Sequence, residues 1–280
     1  MIEYIIIAIL QGLFEWLPIS SSGQVMIVAM KVFGFSPSEA LSLAIWLHLG
    51  TTCAVIVKFR KDFIQILKSF LPRKFEKRKT DKNTRNWLII ATIGTALTAV
   101  PLYFLLKAFL EETYSPLQGD IITLVISGLL ILTGIILLKK RKEFGIKKID
   151  SISEDVLYKN AFITGLIQGV SILPGISRSG ITVSALLIED YEQDNALKLS
   201  FLMSVPVALA AIGLDFISGD PMGVGITVIL IATGVSFLVG YLSMEVLMKL
   251  AKKIEFGYFC VIYGIIAFCI IIPFLLISGT

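Results

Sequence analysis

Long apolar segments dominate the chain, and their lengths are those of membrane-crossing helices. A hydrocarbon core of about 30 Å requires about 20 helical residues. Six segments have a suitable length: residues 40–58, 87–106, 120–138, 196–216, 223–247 and 257–277. We therefore expect an all-α integral membrane protein in which these six segments are transmembrane helices.

Two further apolar segments are interrupted. Residues 3–33 and 160–188 are apolar at both ends but contain Pro, Gly and Ser in the middle. Non-helical backbone is tolerated at membrane depth only where it is buried in protein or lines a cavity, so each interruption suits a loop between two half-helices. We predict that these segments are two re-entrant half-helix pairs.

The composition agrees with a membrane environment. Of 280 residues, 56% are hydrophobic and 16% are charged, and the mean hydropathy is +0.86. A soluble domain is far less apolar, so we expect a single multi-pass domain over residues 1–280, with membrane lipids as partners. The net charge of +4 comes from basic residues that flank the apolar spans, and we expect no nucleic-acid partner.

The basic residues also predict an orientation. They concentrate in residues 58–85, 139–148 and 249–253, and basic loops favour the cytoplasmic side. All three clusters share that side only if residues 160–188 return to the face from which they enter. This arrangement places both termini outside.

The two interrupted segments resemble each other at an offset of 157 residues. The matching residues are Gln11, Gly12, Ile19, Ser20, Ser22 and Gly23 in the first, and Gln168, Gly169, Ile176, Ser177, Ser179 and Gly180 in the second. We predict an internal repeat, with one copy at about 1–140 and the other at about 158–280. Each copy has three crossings, so the second is inverted, an arrangement that places a site near the membrane midplane.

The loops themselves read QGLFEWLPISSSGQ at 11–24 and QGVSILPGISRSG at 168–180. Polar groups at this depth are costly unless they face a protein cavity. One interpretation is structural: Ser20 and Ser177 cap the second half-helices, and the glycines allow close packing. A capped helix N-terminus that faces a cavity is also an anion site, so both interpretations can hold together.

Arg178 carries the strongest chemical signal. A guanidinium at bilayer depth needs an anionic partner and matches phosphate or carboxylate oxygens with a rigid fork of donors. Its repeat counterpart is Ser21, which supplies a hydroxyl. Glu15 is placed to bind a divalent cation or to act as a base, and the alternative is that Glu15 only neutralises Arg178 as a structural pair.

With these motifs the chain resembles the undecaprenyl-pyrophosphate phosphatases of the BacA/UppP type. Their motifs have the forms E-G-L-T-E-F-L-P-[IV]-S-S-[ST]-G-H and P-G-x-S-R-S-G, and this chain has a counterpart of each in the corresponding half. The resemblance covers nearly the whole length. It implies a cell-membrane hydrolase that converts a polyprenyl diphosphate carrier lipid into the monophosphate and inorganic phosphate, with its site open to the outer face.

The resemblance also implies roles for individual residues. Glu15, Ser21 and Arg178 correspond to the catalytic positions, with Ser21 or a water as the nucleophile. The loops supply the candidate substrate-binding residues Gln11, Ser20, Ser22, Gly23, Gln24, Gly175, Ser177, Ser179 and Gly180. Mg²⁺ or Ca²⁺, held by Glu15, is the expected cofactor.

This chain departs from the family pattern at two positions. Gln11 replaces the first glutamate of the first motif, and Gln24 replaces the histidine after the glycine. An amide can hydrogen-bond a phosphate but cannot take up a proton as a carboxylate or an imidazole does. The sole histidine, His48, lies in a predicted crossing; we interpret it as packed and hydrogen-bonded, with replacement of the lost proton acceptor as the alternative.

Two other functions suit parts of the same pattern. Inverted repeats with broken helices are also a transporter architecture, so a polyprenyl-phosphate transporter or flippase is one alternative. A homologue that binds lipid phosphate without hydrolysis is another. A homo-oligomer is compatible with all three functions.

Overall fold

The described part of the chain is helical. The computed structural model describes residues 1–17, 20–71, 79–112, 145–217 and 226–251, together with positions 135 and 265. Within these ranges no strand occurs beyond an isolated bridge between Lys147 and Tyr191. The all-α prediction is confirmed for this part of the molecule.

Nine helices account for the described ranges. They are α1 (Ile2–Phe14), α2 (Ser21–Phe33), α3 (Pro37–Lys58), α4 (Arg60–Lys68), α5 (Lys79–Glu112), α6 (Glu154–Gly169), α7 (Arg178–Ile188), α8 (Gln193–Ile217) and α9 (Ile226–Ala251). A 3₁₀ turn, Val170–Ile172, follows α6.

Four of these helices are long and apolar enough to cross a membrane: Pro37–Lys58, Asp81–Ala108, Gln193–Ile217 and Ile226–Val246. They coincide with four of the six predicted crossings, which are confirmed as apolar helices. The predicted crossings at 120–138 and 257–277 lie, apart from positions 135 and 265, outside the described residues.

Both interrupted segments consist of two helices, as the sequence predicts. In the first, α1 ends at Phe14, and α2 begins after Ser20 and ends at Gly34, whose positive φ of 72° suits a glycine C-cap. In the second, α6 passes into the 3₁₀ turn, and Leu173, the residue before Pro174, is extended. Helical geometry is disfavoured for a residue before proline by its steric clash with the proline ring, which helps to explain the break.

Glycines allow helices to approach closely at three interfaces. A side chain at Gly12 of α1 would meet the backbone nitrogen of Gly240 in α9 at 2.8 Å, and one at Gly50 of α3 would meet that of Phe237 at 2.7 Å. At the α5–α6 interface, a side chain at Gly94 would meet the carbonyl of Phe162 at 2.7 Å. Small residues at such contacts are typical of helix packing in membranes.

A buried polar cluster ties α3, α5 and α8 together. Asp215 of α8 is 3% exposed, and its carboxylate accepts hydrogen bonds from Ser42 at 2.7 Å, Trp46 at 3.0 Å and Tyr103 at 3.2 Å. A buried carboxylate is tolerated when several donors satisfy its oxygens. The cluster therefore fixes the relative positions of three helices that form the walls of the cavity described next.

Candidate active site

A cavity lies where the two polar loops meet α3, α5 and α8. Its polar lining includes residues of both loops: Glu15, Ser20, Ser21, Ser22, Ser177 and Arg178. Its apolar lining from the three helices is Leu41, Ala44, Ile45, Ala99, Val207, Ala208 and Ala211. A polar end beside an apolar wall suits a ligand with a charged headgroup and a hydrocarbon tail.

The predicted serine caps are present in both loops. Ser20 Oγ accepts a hydrogen bond from the backbone N–H of Gly23 at 3.3 Å, and Ser177 Oγ accepts one from Gly180 at 3.1 Å. Ser20 adopts a left-handed conformation with φ of 56°. The structural interpretation of these serines is confirmed, and it leaves the first amides of α2 and α7 beside the cavity.

Hydrogen bonds also join one loop to the other. Ser20 Oγ accepts from the backbone N–H of Gly175 at 2.9 Å, and the hydroxyls of Ser177 and Ser179 each donate to the carbonyl of Leu17 at 3.3 Å. A side chain at Gly23 would meet the nitrogen of Gly175 at 3.1 Å. The two helix N-termini are therefore held close together, so that their positive ends can act on one ligand.

Three donor groups surround the Glu15 carboxylate, which is 4% exposed, and His48 lies beside it. Oε2 accepts from Ser21 Oγ at 2.6 Å and from Gln11 Nε2 at 2.6 Å. Oε1 accepts from Arg178 Nη2, and His48 Nε2 lies 3.4 Å from Oε2. Ser21 and Glu15 thus have the separation of a nucleophile and its general base.

Glu15 is held in place by the residue that follows it. Trp16 is 2% exposed, donates its indole N–H to the carbonyl of Gly240 at 2.8 Å, and packs edge-on against Phe201. A buried tryptophan anchors the backbone around it when its ring is packed against other side chains and its N–H is hydrogen-bonded. The Glu15 carboxylate is therefore attached to a rigid point between α8 and α9.

Arg178 and Glu15 form the ion pair expected at this depth. Together they carry no net charge, and Glu15 contacts only one end of the guanidinium fork. The fork has five N–H donors, so a phosphate group can bind without loss of the pair. Both sequence interpretations, a structural pair and a functional pair, are compatible with this geometry.

His48 reaches the cavity from α3. Its Nδ1 lies 2.6 Å from the carbonyl of Ala44, and a carbonyl can only accept, so Nδ1 carries the hydrogen. This directs Nε2 towards Glu15. The histidine is hydrogen-bonded as the sequence suggested, but it also lines the cavity, which helical position alone did not establish.

The sequence interpretation missed three polar residues of the lining: Thr95, Gln168 and Ser171. Gln168 Nε2 donates to Thr95 Oγ1 at 3.2 Å, and Ser171 donates to the Gln168 carbonyl at 2.6 Å. The only available signal was the repeat, which matches Gln168 to Gln11. Nothing in the sequence around Thr95 indicates that it lines the cavity, because this contact depends on the rotation of α5.

Six predicted binding residues are absent from the cavity lining: Gln11, Gly23, Gln24, Gly175, Ser179 and Gly180. Gln11 is fully buried and reaches the site through Glu15. Gly23 and Gly175 form the contact between the loops, as described above.

Glu15 is the candidate protein ligand for a divalent cation that would be shared with a phosphate ligand. In the described ranges, no three His, Cys, Asp or Glu side chains are grouped to hold a metal ion. Mg²⁺, however, is commonly bound by one or two carboxylates plus substrate phosphates and waters. Gln11 Oε1 is a buried acceptor with no partner among the described residues, so Glu15 and Gln11 can together supply the protein's share of the ligands.

Comparisons with known proteins agree over most of the chain. Residues 4–269 match the family described as bacitracin resistance protein BacA. A protein named undecaprenyl-diphosphatase from Methanothrix thermoacetophila is 37% identical over 265 residues, covering 95% of this chain and 94% of that protein. Proteins of the same name from Methanococcoides burtonii and Haloarcula marismortui are 36% and 35% identical, with 95% and 93% of this chain and 96% and 93% of those proteins covered.

Proposed function

The chain belongs to the family of the bacitracin resistance protein BacA, and from this membership we propose that it removes the terminal phosphate from undecaprenyl diphosphate. It is a membrane hydrolase whose products are the lipid monophosphate and inorganic phosphate. The observation that carries the assignment to this cavity is the contact of Ser21 with Glu15, at 2.6 Å, beside Arg178.

The diphosphate binds at the polar end of the cavity. The guanidinium of Arg178 and the first amides of α2 and α7 present N–H donors to its oxygens. The charges of Glu15 and Arg178 cancel each other. The net negative charge of the occupied site is therefore that of the diphosphate, and the N–H donors face it. The donors are fixed by the caps and loop contacts, so they are organised before the substrate arrives.

Ser21 is the nucleophile that this geometry favours. Its oxygen attacks the terminal phosphorus, and its proton passes to Glu15 Oε2. The bond from that phosphorus to the bridging oxygen breaks, and the lipid monophosphate departs with the bonding electrons. Water then attacks the phosphoserine; Ser21 recovers the proton from Glu15, and both protons of the water remain on the phosphate product. Direct attack by water is the alternative route.

A divalent cation, held by Glu15 and Gln11 together with the diphosphate, would offset negative charge on the transferred phosphate. Mg²⁺ and Ca²⁺ suit these oxygen ligands. The role of the chain's own residues is to hold the diphosphate in line with Ser21.

The membrane setting explains the apolar wall of the cavity. A polyprenyl tail can remain between helices, beside residues such as Leu41 and Val207, while its headgroup reaches the loops. We place the two loops in inverted repeats that meet near the midplane, with both termini and the mouth of the cavity on the outer face. The names of the relatives favour hydrolysis over transport or binding alone.

The test is release of inorganic phosphate from farnesyl or longer polyprenyl diphosphates by the protein purified in detergent. Transport cannot contribute in detergent. We expect release from the parent protein, loss in EDTA, and recovery with Mg²⁺ or Ca²⁺. Glu15→Gln, Ser21→Ala and Arg178→Gln should each lower kcat/KM by about 10²-fold or more.

The matched control is Ser204→Ala. Ser204 is also a buried serine, but it donates only to the carbonyl of Phe201 and does not line the cavity. It should retain parental activity. No release from the parent with either cation would overturn the proposed function, whereas normal release from Ser21→Ala would select the direct attack by water.

A further inference from the structure

Gln168 occupies a rigid position in the wall of the cavity. It is 1% exposed and lies in the last turn of α6. The close packing of α5 and α6 fixes its backbone, since the adjacent Gly169 leaves no room for a side chain against Thr98. Small displacements of its amide group are therefore resisted by two helices.

Thr95 fixes the orientation of that amide group. Its hydroxyl has carbonyl acceptors at Ala91, 2.8 Å away, and Gly165, 3.1 Å away. The hydroxyl proton is thereby engaged, so Thr95 can only accept from Gln168. The atom facing it at 3.2 Å must then be Nε2, which donates.

This orientation leaves Gln168 Oε1 as an acceptor in need of a donor. Oε1 is buried and has no hydrogen-bond partner among the described residues. In the first loop, the matching Gln11 donates to Glu15, whereas in the second the place of Glu15 is taken by Ile172. The two halves thus use the same amide differently.

The chemistry of Oε1 limits what it can bind. Ionised phosphate oxygens are acceptors and are disfavoured beside another acceptor, so Oε1 is not a subsite for the anionic diphosphate. A water molecule can donate one hydrogen to Oε1 while its oxygen points at phosphorus. A glutamine that orients an attacking water is an established device in phosphoryl transfer.

We propose that Gln168 positions the water that hydrolyses the phosphoryl group, with Thr95 fixing the amide group of Gln168. This inference rests on the proposed function. The water oxygen bonds to phosphorus as the bond from phosphorus to Ser21 breaks. Gln168 accepts a hydrogen bond from one water hydrogen during the attack, and both water protons remain on the phosphate product as Ser21 recovers its proton from Glu15. On the direct route, the same water replaces the lipid monophosphate.

The test separates kcat from substrate binding. Gln168→Met keeps the length of the side chain but removes the acceptor. We expect kcat to fall about 10²-fold, the effect of misplacing a reacting group. The inhibition constant of methylenediphosphonate, a non-hydrolysable probe of the diphosphate site, should stay within about twofold of the parent, because Gln168 does not bind the diphosphate.

Thr95→Val and Thr98→Val form a matched pair. Both threonines lie on α5 and contact carbonyls of α6, at Gly165 and Leu166 respectively, but only Thr95 accepts from Gln168. We expect kcat to fall about tenfold in Thr95→Val and to stay at the parental value in Thr98→Val.

Three results would overturn the inference while leaving the proposed function intact. They are a parental kcat in Gln168→Met, a probe affinity that weakens in step with its kcat, and equal losses in the two threonine variants. The last would assign the effect to helix packing. Absence of phosphate release from the parent would instead refute the proposed function itself.

Discussion

The hydroxyl groups of the three consecutive serines in the first loop make different contacts, although the sequence does not distinguish them. Ser20, Ser21 and Ser22 are adjacent and identical. Ser20 Oγ caps α2 and accepts from Gly175 of the other loop, Ser21 contacts Glu15, and Ser22 is half-buried at the cavity. Only the three-dimensional path of the loop separates the serine that caps a helix from the serine that contacts the Glu15 carboxylate.

Ser20→Ala should therefore cost stability where Ser22→Ala does not. Loss of a serine cap costs about 0.5–2 kcal/mol, and the Gly175 N–H would also lose its acceptor. We expect a lower thermal unfolding temperature in detergent for Ser20→Ala than for the parent, and a change of less than about 1 °C for Ser22→Ala. Equal shifts would show that Ser20 does not brace the two loops.

A second residue-level prediction concerns pH. Burial raises the pKa of the Glu189 carboxyl from 4.5 to about 7, against the opposing effects of the positive charges of Lys147 and Lys159. An acid whose pKa rises on folding holds its proton more tightly in the folded state. Its contribution to stability is full below pH 4.5 and is lost as pH rises through about 7.

Glu189→Gln imitates the protonated acid at every pH. The unfolding temperature of the variant minus that of the parent should be near zero at pH 4 and rise to a few degrees, about 2–4 °C, at pH 8.5. The difference curve removes the titration of other groups. A difference that does not change with pH would contradict the burial of Glu189.

At the scale of the elements, the sequence predicted where helices break better than where they touch. Proline, glycine and serine act on the local backbone, so the interruptions at both loops were visible. Helix α4, within a stretch read as a basic loop, was not: its apolar contact through Ile66 depends on tertiary packing. For the same reason, the cavity positions of His48, Thr95 and Gln168 were not predictable, since they depend on helix rotation.

The contact between α5 and α6 allows a direct test of helix packing. A side chain at Gly165 would overlap the carbonyl of Ala91, whereas one at Gly213 of α8 would meet nothing within 4 Å. Gly165→Ala should therefore lose about 1–3 kcal/mol through overpacking, and Gly213→Ala should be neutral. Thermal unfolding of both variants in detergent measures this, and equal stability of the two would exclude close packing at Gly165.

For the molecule as a whole, the positions of the basic residues predict the orientation in the membrane, and the positions of the helix breaks predict the helical pairs. The breaks predicted helical pairs, and the described helices agree. The orientation depends on the bilayer and on the two sides that it separates, and contacts within the chain do not determine it. The prediction therefore rests on basic residues at 58–85, 139–148 and 249–253 sharing the cytoplasmic side.

Cysteine labelling tests this orientation. In a variant with Cys53, Cys260 and Cys269 replaced by alanine, single cysteines at Glu3 and Ser38 should react with a membrane-impermeant maleimide in intact cells, because the first broken segment begins and ends outside. Single cysteines at Asp150 and Glu192 should react only after permeabilisation, because they flank a segment that begins and ends inside.

Each pair of positions is the control for the other. Labelling of Asp150 and Glu192 after permeabilisation proves that both sites are reactive, so protection in intact cells reports the side of the membrane. If Asp150 and Glu192 were labelled from opposite sides, residues 160–188 would cross the bilayer completely. The parity of the following helices would then place residues 249–253 outside, against the charge rule, and the inverted repeat would be lost.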